Sequence, residues 1–298
     1  MLDAISWVVT HFGMAFYNFF NAVAHPAAWL DWSDGKALMK FIFYGASQDF
    51  FFVVITFFII ILIIGLWKRN FLWGVVRFIE GFNNMTGRFF AWAALAMVLQ
   101  QIMIVFLQRI FLRATINISP FGYGVTKDIS WWAEELKFYN ALLVALCCAY
   151  AFVQGSHVRV DLFYAGMRFR TKRIVDMIGS IFFILPTMTL IWMYGWFFMW
   201  RHLVTPKISA TDKLMLLERK AAFLKWRVET IGFSPSGFDG YFLFKILLVA
   251  FAGMIFISGI SFFYRSLLEF LEGEASADKY LDKDDLGDEL AKTVAEIH

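Results

Sequence analysis

The sequence predicts an all-α polytopic membrane protein, and three observations predict it. Five apolar runs, Phe50–Trp67, Phe89–Leu107, Phe138–Val153, Ile174–Trp200 and Tyr241–Phe263, each supply most or all of a helix crossing ~30 Å of hydrocarbon. None carries an ionisable side chain near its middle; Asp176 and Lys245 sit at span ends, within reach of the interface. The 298 residues are 60% hydrophobic and 20% aromatic, with 37 Phe and 12 Trp, a share far above that of soluble chains.

Taken in order, the first element is Ile5–Ala24. It is apolar but interrupted by Ser6, Thr10, His11, Asn18 and Asn21. His11, Asn18 and Asn21 fall near one helical face, which suits a helix lying flat at the interface. A sixth span is the rival reading, and it would move the N-terminus into the cytoplasm. After Phe50–Trp67 comes linker Lys68–Arg88 with Lys68, Arg69, Arg77 and Arg88; after Phe138–Val153 comes linker Gln154–Arg173 with Arg159, Arg168, Arg170, Lys172 and Arg173. Both linkers lie on one side if all five runs span, and short basic loops place that side in the cytoplasm. The connections Gln108–Lys137 and Arg201–Gly240 then face the periplasm. Pro186, inside the fourth run, predicts a kink. The tail Glu269–His298 holds ten acidic residues and three lysines. Leu286, Leu290, Val294 and Ile297 recur there at helical spacing, so a short amphipathic helix and a solvated acidic tail are both open.

The organisation expected is residues 1–48 for the interfacial or inserted helix and 49–86 for an extra N-terminal span with its linker. Residues 87–265 form the main membrane part, and 266–298 the acidic tail. A net charge of +3 with no basic stripe gives no footing for nucleic acid. Cys147 and Cys148 are neighbours within an apolar helix and read as packing residues, without a disulfide framework. Met1-Leu2-Asp3 lacks the basic start of a cleavable signal.

Catalysis finds little support. HExxH, GxSxG, a Walker loop and paired Cys/His spacing are all missing from the sequence. The histidines, His11, His25, His157, His202 and His298, avoid the span centres, which leaves no two-histidine haem site. No cofactor or metal is expected.

Three polar constellations remain. Trp131, Trp132, Glu134 and Glu135 stand at the entrance to the third run, opposite Arg109 and Arg113 at the exit of the second. Acids beside interfacial tryptophans are costly unless paired, so an ion-pair lock holding the hairpin or a partner subunit is expected; ordinary interfacial charge is the plainer reading. His157, Arg159 and Asp161 follow the third run, where a snorkelling basic anchor would also place them. Ser209 and Asp212 resemble a capping box for an amphipathic helix reaching Thr230. Its stripe is Leu214, Leu217, Ala221, Leu224 and Val228, with Lys213, Arg219, Lys220, Lys225 and Arg227 elsewhere on its surface. Such a helix either lies on the membrane or offers a docking surface to a soluble partner.

At these residues the chain resembles a known family. Gly87-Arg88-Phe89-Phe90-Ala91-Trp92 opens the second run, Glu134-Glu135-Leu136 precedes the third, and His157-Val158-Arg159-Val160-Asp161-Leu162-Phe163-Tyr164 follows it. Asp176-Met177-Ile178-Gly179, Leu185-Pro186 and Ser234-Pro235-Ser236-Gly237-Phe238 come next, before Lys245. Order and spacing, from about Gly87 to Phe263, are similar to the small membrane subunit (DctQ type) of tripartite ATP-independent periplasmic (TRAP) transporters. The His-Val-Arg-Val-Asp stretch is the most specific piece.

The resemblance implies a four-helix membrane core, made of the second to fifth runs, in the bacterial inner membrane. It also implies two partners. One is a large membrane subunit (DctM type) that moves substrate by a sodium-coupled elevator motion. The other is a periplasmic binding protein that delivers the substrate, commonly an organic acid. The small subunit would brace the large one without catalysing anything. The extra N-terminal span, the long Arg201–Gly240 connection and the acidic tail depart from the family pattern. Uncharged span centres fit a brace, because self-sufficient carriers place binding sites near the midplane on broken helices. A self-sufficient carrier or channel, and a membrane anchor of a respiratory enzyme, are the alternatives.

Overall fold

The computed structural model describes residues 2–118, 125–155, 164, 166–230, 234–277 and 279–282. Among the described residues, five helices are long and apolar enough to cross a membrane: Gln48–Trp67, Arg69–Arg109, Ile129–Val153, Phe169–Trp200 and Tyr241–Glu272. Each contains one of the five apolar runs. Two short strand pairs also occur, which the sequence reading did not foresee.

The chain opens with α1 (Leu2–Ala24), which ends before His25-Pro26, where a proline disfavours helix in the residue ahead of it. The one-turn α2 (Ala27–Leu30) leads to α3 (Gly35–Tyr44). Asp34 caps α3 by accepting the Lys36 N–H. Ser47 caps α4 (Gln48–Trp67) in the same way through Phe50. Lys68 forms an elbow, and α5 (Arg69–Val105) returns. Gly65 makes the elbow possible, since a Cβ there would press into the Leu72 side chain at 2.8 Å. The basic stretch 68–88 is therefore no loop. It is the first half of a 37-residue helix about 55 Å long that runs unbroken through residues 86 and 87.

A π turn (Phe106–Ile110) ends α5, and an antiparallel hairpin of β1 (Thr115–Ile118) and β2 (Val125–Asp128) leads into α6 (Ile129–Val153). Gly155, at φ +72°, stops α6 in the left-handed conformation that a helix C-terminus favours. α7 (Phe169–Gly179) and α8 (Leu185–Trp200) form one rod joined by a π turn, Ser180–Ile184. Pro186 cannot donate back along the helix, and the rod takes a wider turn immediately before it.

Beyond the rod, β3 (Val204–Thr205) pairs with β4 (Lys225–Trp226) around α9 (Leu214–Ala221). Here the structure corrects the sequence reading. The helix spans eight residues and does not reach Thr230, because the chain turns into β4. Asp212 does not cap α9. It accepts from the Ser209 N–H at 3.0 Å and from Lys220 Nζ at 2.6 Å, closing a turn ahead of the helix. Leu217 and Ala221 are buried not in lipid but with Leu38, Met39 and Ile42 of α3. The last helix, α10 (Tyr241–Glu272), ends at Gly273 with φ +87°.

α10 is the central post. Half of its most apolar window is buried, against 11–17% for the other four long helices, which turn their apolar sides outward. Its neighbours fix two ends of the bundle. Leu72, Trp73 and Val76 of α5 meet Phe263, Tyr264 and Leu268 at one, the arginine end. At the other, the tryptophan end, Trp196 and Trp200 of α8 close over α3. Trp192 and Trp196 donate their indole N–H groups to the Gly45 and Ile42 carbonyls, 2.9 Å each, satisfying the orphan C-terminus of α3. A Cβ on Gly45 would overlap the Trp196 ring.

Candidate functional site

At the tryptophan end, α6 enters with Trp131, Trp132, Glu134 and Glu135, all half-buried. Glu134 Oε2 accepts the Phe238 N–H at 2.9 Å, and a Cβ on Gly237 would overlap that carboxylate. Glu135 Oε2 accepts from Gln100 Nε2 at 3.1 Å, and the same amide donates to the Trp132 carbonyl at 2.9 Å. Trp131 Nε1 donates to Asp239 Oδ1 at 2.9 Å, while Lys127 lies 3.7 Å from Asp239 and 5.3 Å from the centre of the Trp131 ring. The indole hydrogen bond, aided by Lys127, holds the Asp239 carboxyl below its ordinary pKa. Together these contacts clamp the 234–239 segment onto the start of α6.

The expected partners of the two glutamates were Arg109 and Arg113, and this pairing does not form. Arg109 lies in the π turn and Arg113 in the loop after it; both are exposed, and among the described residues neither makes an ion pair with the acids. Gln100 and the Phe238 main chain take the carboxylates instead.

Charge is concentrated at the arginine end. Arg265 holds Glu80 through Nε–Oε1 (2.7 Å) and Nη2–Oε2 (2.5 Å), with both side chains buried. Glu269, 1% exposed, lies 3.6 Å from Arg265 and 2.6 Å from Arg173 Nε. Arg173 also reaches Asp176 at 3.2 Å, and Tyr164 donates to the same Oδ2 at 2.8 Å. Two arginines and three carboxylates from α5, α7 and α10 thus form one chain of contacts. Outside it, Arg88 grips Asp282 with two bonds of 2.9 and 3.0 Å, and Asn84 and Gln154 donate to the Asp282 carbonyl. Asp282 is strapped across the helix ends in this way. His157, Arg159 and Asp161 lie outside the described residues, as does the tail from residue 283.

Gly87, first of the motif residues, marks the closest approach of α5 and α6: a Cβ would overlap Tyr150, and Cys147 Sγ lies 3.4 Å from the Gly87 carbonyl. Lys213, Arg219, Lys225 and Arg227 are exposed around α9 and β4, whereas Lys220 is tied to Asp212 and to the Lys207 carbonyl.

α5 divides into two faces. Leu72, Trp73, Val76, Glu80, Asn83, Asn84 and Gly87 face inward. Outward, Phe71, Phe78, Phe82, Met85, Phe89, Trp92, Leu95, Leu99, Ile102 and Phe106 are 43–77% exposed. From Phe78 on, their three- and four-residue spacing, with Phe71 one heptad earlier, makes one stripe that turns slowly round the helix. It runs about 53 Å, well beyond the ~30 Å of a hydrocarbon core.

Among the described residues no cluster of three His, Cys, Asp or Glu is placed to hold a metal. The buried charged groups described above are engaged with one another. Such an arrangement sets the register of helices and leaves apolar surface for contact.

Compared with known families, residues 102–216 match the model described as tripartite ATP-independent periplasmic transporters, DctQ component. The match runs from the end of α5 to the first turn of α9, inside the Gly87–Phe263 stretch on which the sequence resemblance rests. The resemblance is borne out there, and the matched component belongs to a transporter, not to an enzyme. Comparison with curated proteins and with solved structures gives no match.

Proposed function

We propose that this chain, a multi-pass membrane protein matched to the DctQ component of TRAP transporters over residues 102–216, is the small permease subunit that braces the large one. The observation that carries this reading is the outward stripe of α5. Lipid tails cover about 30 Å of such a face. The remaining length, Phe71 to Met85 with Phe78 at 77% exposure, calls for a protein surface. The static scaffold of a large DctM-type subunit supplies one.

Several finer expectations belong to the same reading. The basic halves of the chain face the cytoplasm of a bacterial inner membrane, and the tryptophan end faces the periplasm. α1 lies along the periplasmic surface, packed on the start of α4, with Trp7, His11 and Phe12 against Phe52 and Phe19 against Phe57. Residues 87–265 are the family core, 49–86 the added span and its helical extension, 1–48 the surface cover and 266–298 the tail. Arg109, Arg113, Glu134, Glu135, His157, Arg159 and Asp161 are candidates for the contact with the large subunit. Lys213, Arg219, Lys225 and Arg227 meet the periplasmic binding protein that delivers an organic acid for sodium-coupled uptake.

Cysteine cross-linking tests the central contact. In a background lacking Cys147 and Cys148, Phe78→Cys and Met85→Cys should cross-link to the large subunit, whereas Phe182→Cys, exposed on the rod, should not. Equal labelling of all three by a water-soluble maleimide, with no cross-link, would remove the basis of the reading.

A further inference from the structure

A crevice of about 280 Å³ opens between the added span α4 and the α8–α10 pair. Phe51 and Val54 line one wall, Trp192 and Met193 the second, Phe256 and Ile257 the third. Its two hydroxyl residues offer nothing: Ser47 Oγ donates to the Tyr44 carbonyl and Thr189 Oγ1 to the Leu185 carbonyl. The walls are tied together at both ends. Above, Trp192 and Trp196 are bonded to the Gly45 and Ile42 carbonyls; below, Tyr264 Oη donates to the Phe58 carbonyl at 2.7 Å and the two rings stack at 5.1 Å. The crevice lies between these two fastenings.

We propose that this crevice is a binding site for one acyl chain of a bilayer phospholipid, which wedges the added span against the core. The reading rests on α4, α8 and α10 being membrane helices, not on the TRAP assignment. Water is excluded because wholly apolar cavities stay dry. A polar solute is excluded because binding pockets need convergent polar groups, and both hydroxyls here are spent. Close-packed interiors leave few voids of this size, so the crevice is filled by what surrounds it. It is continuous with the outward apolar surface of three spans, where hydrocarbon chains are the solvent.

The full chain, reconstituted in phosphatidylethanolamine–phosphatidylglycerol vesicles doped with a phosphatidylcholine bearing a diazirine in its acyl chain, is irradiated and its adducts mapped by mass spectrometry. Adducts should concentrate several-fold at Phe51, Val54, Phe256 and Ile257 over Phe182, Phe183 and Leu190, and persist after a detergent wash before irradiation. Val54→Trp and Ile257→Trp, which fill the space from opposite walls, should each abolish that enrichment, while Leu190→Trp should leave it. Uniform labelling, or enrichment lost on washing, means ordinary boundary lipid and overturns the proposal. So does enrichment that survives either filling substitution. If a filled variant fails to accumulate, the wild-type adduct map and wash decide the question.

Discussion

Arg265 and Glu80 face each other across α10 and α5 with two hydrogen bonds, 2.7 and 2.5 Å, each side chain less than a tenth exposed. Removing one partner of such a pair leaves a buried charge uncompensated, at a cost of about 3–5 kcal/mol, whereas replacing both with apolar residues is often neutral. Glu80→Ala should therefore lower the thermal midpoint of the detergent-solubilised chain markedly, and E80L with R265M together should recover most of the loss. A double variant as unstable as the single one would mean that the pair is not the determinant. Thermal unfolding followed by circular dichroism reads both.

The clamp at the tryptophan end yields a second expectation. Glu134 and Glu135 hold the 234–239 segment and Gln100 in place, at the face expected to meet the large subunit. The Glu134→Gln, Glu135→Gln double variant should co-purify less large subunit from membranes than wild type. Normal recovery of the complex would refute a role for these acids in assembly.

Asp239 carries a pH dependence with a definite sign. Its folded pKa lies below the ordinary carboxylate value, so its contribution is present above that value and fades as pH falls through the folded one. Acidification below about pH 4 should loosen the segment. Because the group is largely exposed, the effect on global stability is small, and limited proteolysis of the 201–240 connection is the better readout. Asp239→Asn should cleave faster at neutral pH and show less change on acidification.

Basic residues around α9 give a fourth. Neutralising Lys213, Arg219, Lys225 and Arg227 together should lower uptake at limiting binding protein and leave the amount of assembled complex unchanged. Lys220 is spared because its pair with Asp212 is internal. Unchanged uptake rejects a docking role for this surface.

The five long helices were legible because hydropathy over twenty residues needs no knowledge of neighbours. α3 was not, since Gly35–Tyr44 is short and starts between Asp34 and Lys36; only the tryptophans of α8 make it a docked helix. The arginine-end network was missed for a different reason. Glu80, Arg265 and Glu269 lie past the apolar runs, where a charge reads as solvated. The available signal was the continuation of apolar residues Leu267 and Leu268 between Arg265 and Glu269, a pattern that keeps a helix packed. Glu134 and Glu135 were expected to pair with Arg109 and Arg113, but their partners come from residue 238 and from Gln100, contacts that no spacing rule reveals. The outward stripe of α5 was not read either, because the boundary placed at residue 86 divided into linker and span what is one helix.

Transport in proteoliposomes tests the account most directly. Vesicles holding the large subunit alone, this chain alone, or both are given the binding protein, its organic acid and a sodium gradient. The account predicts uptake only when both membrane chains are present. Full uptake by the large subunit alone, or flux through this chain alone, would contradict it.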